Sequence, residues 1–373
     1  KTFNSNIFLG LRDVVLRFKT YIILFLVFVL CTFIIIVPLN FLNTIQSPEF
    51  INYMGVGKSD IILDIRNTNQ MQQQFKTVIT YLKNDSDVTK FAPYITGKYE
   101  IINAEGTAES LFVTTGDFDI FPIDYVNGKA PVASSEMALS YLSANELEKK
   151  VGDPVVLIAN GKKQQMVISG IYQDITNGGK TAKANILPDY EKAVWYNINL
   201  NVDSKITSKV NEYNTAFDNI KVTDIKGYID QTFSTIIDQL QLLTITAILL
   251  AVLITILITV LFLKMITAKD MSQIAIMKSI GIPLKDIKIQ YITKALFILN
   301  LGILVGTVLS NTLGENLLSV LLSVLGAKNI QFIINPLEAY VLSPLFLMLV
   351  VTVTTLLSIN SIEDYNIEDI NVE

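Results

Sequence analysis

The residue types that carry most covalent chemistry are thin in this chain. None of its 373 residues is a histidine, which removes the commonest general base and metal ligand and excludes Ser-His-Asp and Cys-His catalysis. The one cysteine, Cys31, lies inside an apolar run. A lone thiol makes neither an intrachain disulfide nor a zinc site, so Cys31 reads as a small apolar side chain. Gly57-Lys58-Ser59 has the ending of a phosphate-binding loop, but that pattern needs a glycine five residues before Gly57, where Asn52 stands. The pairs Asp85/Asp87 and Asp117/Asp119 have a spacing that serves acid–base or cation chemistry elsewhere. They fit no EF-hand pattern and read as solvated loop charges. No catalytic residue, cofactor site or metal site is therefore expected in the chain itself.

The most informative stretch is 268–295. Ile274, Met277 and Ile280 repeat at helical spacing, Gly281 supplies a C-cap and Pro283 blocks continuation. Leu284, Ile287 and Ile292 then resume a helical pattern. The expectation is a short amphipathic helix, a break, and a second helix. Such a helix either lies on lipid headgroups or inserts into a soluble partner.

The elements around this stretch are those of a membrane protein. Charged residues make up 17% of the chain and mean hydropathy is +0.45, against about 25% charged in soluble domains. A net charge of −5 offers no basic surface to nucleic acid. Four apolar runs are long enough to cross a bilayer. The first follows Arg12, Arg17 and Lys19, and it exceeds the length of a signal-peptide core and lacks a small-residue cleavage site. The segment 264–294 sets six lysines against two aspartates and is cytoplasmic by the positive-inside rule.

The reading that follows is an N-terminal cytoplasmic segment 1–19, a first span 20–42, an extracytoplasmic domain 43–238, a second span 239–263, a cytoplasmic loop 264–294, a third span 295–313, an outer loop 314–339, a fourth span 340–360 and a cytoplasmic tail 361–373. The fold class is an α-helical membrane protein with four transmembrane helices and a mixed α+β extracytoplasmic domain inserted between helices 1 and 2. Within that domain, helices are expected over Asn69–Leu82 and Ser135–Lys149, the latter capped by Ser134 or Ser135. Strands are expected over Ile61–Ile65 and Leu111–Thr114. A hairpin joins Pro154–Ala159 to Gln164–Tyr172 through Asn160-Gly161. Gly227–Asp238 continues the second span as a stalk, Leu317–Leu325 is too short to cross alone and either prolongs the third helix, the favoured reading, or lies in the interface, and Gly302 and Gly306 form a small-residue pair suited to close helix contact. No charge lies inside the four apolar cores, which disfavours an ion or proton pathway.

The segment Gln273-Ile-Ala-Ile-Met-Lys-Ser-Ile-Gly281 resembles the cytoplasmic segment of FtsX-like/MacB-type permeases of ABC transporters. Val151-Gly152-Asp153, Val167–Tyr172, Gly128–Pro131 and Ser135–Ser140 are similar to the outer-domain core of that family, and the order of one span, a large domain and three spans matches it. Two positions depart from the family pattern: Gln273 stands for its usual glutamate, and Lys294 for an acidic residue before the third span. Gly10–Val15, in a chain opening on Lys1, resembles the start of the second repeat of longer two-repeat permeases, which would make this chain the C-terminal half of one.

The resemblance implies a permease subunit of the bacterial plasma membrane with both termini cytoplasmic. A dimer of separate ABC ATPase subunits would bind the ATP and magnesium and dock on Gln273, Ile274, Ile276, Met277, Lys278, Ile280 and Gly281. A second permease copy or half would complete the transporter. Nucleotide-driven motion would pass to the outer domain, for export or extraction of a peptide, lipid, lipoprotein or drug. The alternative is an FtsX-like transmembrane regulator that activates an extracellular cell-wall hydrolase.

Overall fold

The computed structural model describes residues 5–66, 70–102, 106–159, 161–328 and 330–360. Expectations that touch Lys1, Asn69, Asn160 or the tail 361–373 lie, at those residues, outside the described ones.

Helices α1 (Ser5–Leu16) and α2 (Phe18–Gln46) open the chain. The sheet region follows as β1 (Ile61–Arg66), α3 (Met71–Asn84), β2 (Val88–Ile102), β3 (Ala108–Thr115), β4 (Tyr125–Gly128), β5 (Glu136–Ser140), α4 (Tyr141–Glu146), β6 (Pro154–Ala159), β7 (Lys162–Tyr172), β8 (Thr181–Ala184), β9 (Ala193–Val202), α5 (Ile206–Ala216) and β10 (Lys221–Asp224). Then come α6 (Ile225–Lys269), α7 (Met271–Ser279), α8 (Leu284–Leu309), α9 (Glu315–Ser323) and α10 (Ser343–Asn360). The chain divides into a membrane unit (1–43, 238–315 and 332–373) and a sheet unit (44–237 and 316–331).

Four helical runs are long and apolar enough to cross a membrane: Phe18–Gln46, Ile225–Lys269, Leu284–Ser323 and Glu338–Ile359. The second is one helix that includes the expected stalk, with a non-helical backbone at Phe233. The third is longer than 295–313, because the apolar pattern begun at Leu284 and Ile287 runs on through Tyr291 and Ala295 without a breaker. Through a π-helical turn at Ser310–Gly314 it continues into α9, which holds much of Leu317–Leu325.

In the membrane unit, small residues set the approach of the helices. A Cβ on Gly302 would fall 2.6 Å from Cβ of Phe28, and one on Gly306 would fall 2.7 Å from Cβ of Thr32. The pair therefore brings α8 against α2 at a distance no larger residue permits. Gly10 does the same for α1, where a Cβ would meet the Gln290 carbonyl of α8 at 2.9 Å. The core around these contacts is built from Leu24, Phe28, Ile266, Ile298, Leu299 and Val351.

In the sheet unit the strands run in the order β10-β1-β9-β2-β3-β8-β5-β7-β4, and β6 pairs with both β2 and β7. That double pairing closes β2, β3, β8, β5, β7 and β6 into a ring. The ring is filled by inward residues such as Tyr99, Val113, Leu139, Leu157, Ile168 and Ala182. The open part, β10-β1-β9-β2, buries one face against α3 and α5 through Leu63, Phe75, Val78, Ile198, Tyr213 and Val222. The hairpin occurs as β6 and β7, with Ala159 opposite Lys162 and Gly161 at φ 71°.

One expectation is corrected. Ser135–Lys149 is not a helix from a Ser134 or Ser135 cap. Glu136–Ser140 is strand β5, and only Tyr141–Glu146 is helical, capped by Ser140 whose Oγ accepts from the Ser143 amide at 3.2 Å. Local propensity is overridden because β5 lies between β7 and β8, with Met137, Ala138 and Leu139 buried and its backbone bonded on both sides.

Candidate coupling segment and its charge cluster

Helix α7 owes its end to Gly281. The Ile282 amide donates to the Met277 carbonyl and the Gly281 amide to the Lys278 carbonyl, both at 3.0 Å, with Gly281 at φ 86°. This double bond pattern is a Schellman motif, and Ile282 and Met277, the positions of its accompanying apolar contact, both pack against the core of the membrane unit. Pro283 follows, extended, as the N-cap of α8.

The seven residues expected to dock a partner do not share one face. Ile274 is 1% exposed, and Met277 and Ile282 pack with it against the core of the membrane unit. Ile276 and Ile280 are 61% and 70% exposed, and Gln273 is exposed beside them. Spacings of three and four residues place Gln273, Ile276 and Ile280 on one stripe. Ile274 and Met277 thus anchor the helix, Gly281 ends it, and Lys278 is half-buried at its flank.

Beneath the anchor lies a cluster that the sequence reading did not assemble. Asp270, buried between α6 and α7, accepts from Arg17 Nη2 at 2.9 Å and from the Tyr291 hydroxyl at 3.1 Å. Asp13 of α1 accepts from Arg17 Nη1 at 3.2 Å and from the Tyr21 hydroxyl at 3.1 Å. Lys294 Nζ lies 2.7 Å from Asp13 and 3.8 Å from Asp270. Two carboxylates and two cations balance, and two tyrosines occupy further acceptor positions. Burial pushes the Asp13 carboxyl up, but the Lys294 hydrogen bond, with the Lys294 and Arg17 charges, holds it below the usual carboxylate range.

The acids that meet Lys294 come from α1, as Asp13, and from the residue that precedes α7, Asp270. The sequence did carry a signal: Lys294 adjoins an apolar run, and a buried cation there requires a counter-charge. Nothing local says which of the many acids supplies it.

The cluster holds no nucleophile–base pair. Among the described residues no group of three or more His, Cys, Asp or Glu side chains is placed to hold a metal ion. What the arrangement can do is mechanical. It fastens α1, the head of α7 and α8 at one point while leaving the outer stripe of α7 uncovered.

Residues 245–366 match the family model of the FtsX-like permease C-terminal domain. No curated protein matches the chain in sequence. Among solved structures, the periplasmic region of MacB from Actinobacillus actinomycetemcomitans is similar at 11% identity, covering 48% of this chain and 94% of that one, with a TM-score of 0.34. A domain of a putative permease from Porphyromonas gingivalis is 11% identical over 45% of this chain and 89% of its own, at a TM-score of 0.29. The extracellular domain of the noncanonic ABC-type transporter YknZ from Gram-positive bacteria is 13% identical over 44% and 98%, at a TM-score of 0.30. Over residues 245–366, about a third of its length, the chain is similar to the C-terminal domain of the FtsX-like permeases.

Proposed function

We propose that this chain is the membrane subunit of an ABC transporter, with a separate cytoplasmic ATPase docking on residues 268–284. In this reading two copies of the fold assemble with an ATPase dimer. Closure of the ATPases on ATP shifts α7, and the charge cluster passes that shift to α1 and α8 together. The long helix α6 carries it on towards the sheet unit. The observation that carries the reading is the uncovered stripe of Gln273, Ile276 and Ile280 on a helix whose other side is anchored by Ile274. Ile276 on this nine-residue helix and Ile280 at its C-cap are large apolar side chains that the chain itself leaves uncovered, and a partner's groove would cover both. A short amphipathic helix entering a groove is a common way to cover them. The excess of lysine over aspartate in 264–294 supports a cytoplasmic placement.

The test is co-purification with a co-expressed ABC ATPase and ATP hydrolysis in reconstituted membranes. Ile276→Asp with Ile280→Asp is expected to abolish both while the protein remains folded. Ile274→Val, which keeps the anchor, is expected to leave both intact. Unchanged co-purification in the double aspartate variant would refute the docking assignment.

A further inference from the structure

The sheet unit encloses a cavity of about 440 Å³, within the range of small-molecule sites. Strand alternation determines which residues reach it. On β8, Ala182 and Ala184 fill the ring, so Thr181 and Lys183 face the other way. On β1, Ile61, Leu63 and Ile65 face α3 and α5, so Asp64 and Arg66 face the cavity. On β9 the same rule sends Trp195 and Asn197 there. Tyr228, Phe233 and Ile236 of α6 form the wall opposite, with the non-helical residue of that helix among them.

Lys183 is 7% exposed. Its Nζ stands 5.0 Å from the ring centre of Phe118 and 4.9 Å from that of Tyr172. Among the described residues it has no hydrogen-bond acceptor and no carboxylate within ion-pairing distance. The nearby carboxylate, Asp174, is already taken: it accepts from the hydroxyls of Thr176 and Thr181 at 2.6 Å each and from the Thr176 amide at 2.8 Å. Asn197 Nδ2 is buried with no partner. Arg66 is engaged with Asp64 at 2.8 Å and stacks over Trp195. The cavity therefore has two donors without acceptors, one of them a cation, in a wall that mixes aromatic and apolar side chains with polar ones and with the charges of Asp64, Arg66, Asp174 and Lys221. Burying an unpaired ammonium is expensive, and the group that relieves it is an oxyanion.

We infer that this cavity is a binding site for a small amphipathic anion, whose carboxylate or phosphate group meets Lys183 and Asn197 and whose apolar body lies against Phe118, Trp195, Phe233 and Ile236. Neither the family match nor the docking proposal requires such a site, and it stands or falls independently of the ATPase.

The protein holds a single tryptophan, and Trp195 lines the cavity, so emission excited at the indole band reports occupancy directly. The full chain in zwitterionic lipid nanodiscs would be titrated with octanoate, octyl phosphate, octanol and octylammonium. A saturable emission change is expected with the two anions, and at least tenfold weaker binding with octanol and octylammonium. A preference for octyl phosphate would assign the natural ligand to phosphate esters such as lipid headgroups. A preference for octanoate would assign it to carboxylates. Lys183→Met is expected to weaken anion binding at least tenfold and Asn197→Leu about fivefold, with thermal unfolding checked for both. Equal responses to all four probes, no saturable response, or responses unchanged in both variants would overturn the proposal.

Discussion

Lys294 in the membrane unit and Lys183 in the sheet unit are buried to nearly the same degree, at 8% and 7% exposed, under opposite arrangements. Lys294 is met by Asp13 and Asp270, which are further bonded by Arg17 and two tyrosines. Lys183 has two aromatic faces and, among the described residues, no carboxylate within ion-pairing distance. A third lysine, Lys209, resembles Lys294: it is 6% exposed and touches Asp85, Asp87 and Glu212. The comparison teaches that burial of a charge is not by itself a functional sign. Where the partners are complete, the charge is a fastener. Where they are missing and a cavity adjoins, a site is left open for something that completes them.

The comparison is broken most severely at Lys294. Lys294→Met leaves the buried Asp270 and the partly buried Asp13 with Arg17 as the cation of the cluster and is expected to destabilise the membrane unit by about 2–4 kcal/mol, read as loss of helical circular dichroism at lower SDS fraction. Adding Asp13→Asn should recover part of that loss, since the surplus charge is then removed. A silent Lys294→Met would mean that the cluster fastens nothing.

The opposite sign is expected at Lys183. Burial lowers its pKa to about 8 despite the Asp174 charge, so keeping it protonated in the fold opposes stability. Lys183→Met loses the aromatic contacts but removes that cost, and the sheet unit should gain roughly 1–2 kcal/mol, followed by Trp195 emission in urea. A destabilisation of similar size would make Lys183 a structural residue like the other two.

The smallest effect is in pH. Burial raises Asp174 to about 6, so stability from its protonation is full below the ordinary aspartate range and lost as pH rises through about 6. Lys183 is depressed, so its neutral form favours the fold above the ordinary lysine range, and that contribution is lost as pH falls through about 8. Between about pH 6 and 8 both are charged against the preference of the interior. Wild-type stability should therefore climb between pH 8 and 10, and octanoate affinity should fall by up to about tenfold per pH unit over the same interval. The other charged and titratable groups that line the same cavity are Asp64 and Arg66 of β1, Lys221 of β10, Tyr94 of β2, Tyr172 of β7 and Tyr228 of α6, of which Tyr172 lies against Lys183. Lys183→Met should flatten both trends, and if it does not, one of these groups is responsible.

Much of the architecture was legible because it is local. Four uninterrupted apolar runs, the alternation that makes β1, β3, β6 and β7, the turn at Gly161, and the glycine–proline stop at Gly281 and Pro283 are all written within a few residues, where backbone geometry and side-chain period act. The Gly302 and Gly306 pair was legible as a small-residue motif, though its partner helix was not.

What only the tertiary structure decided involves residues that meet across the chain. Glu136–Ser140 reads as helix by propensity and is a strand because β7 and β8 flank it. Arg17 and Asp270 are 253 positions apart, and no periodicity relates them. Thr181-Ala-Lys-Ala184 shows an alternation that any half-exposed strand would share, and the sequence alone cannot tell whether its polar face meets water or a cavity wall. Nor does the period of α7 say which of its isoleucines anchors and which is left outside. Spacing along a chain sets the direction in which a side chain leaves its own backbone, but the charge, ring or solvent it then meets depends on packing between distant segments.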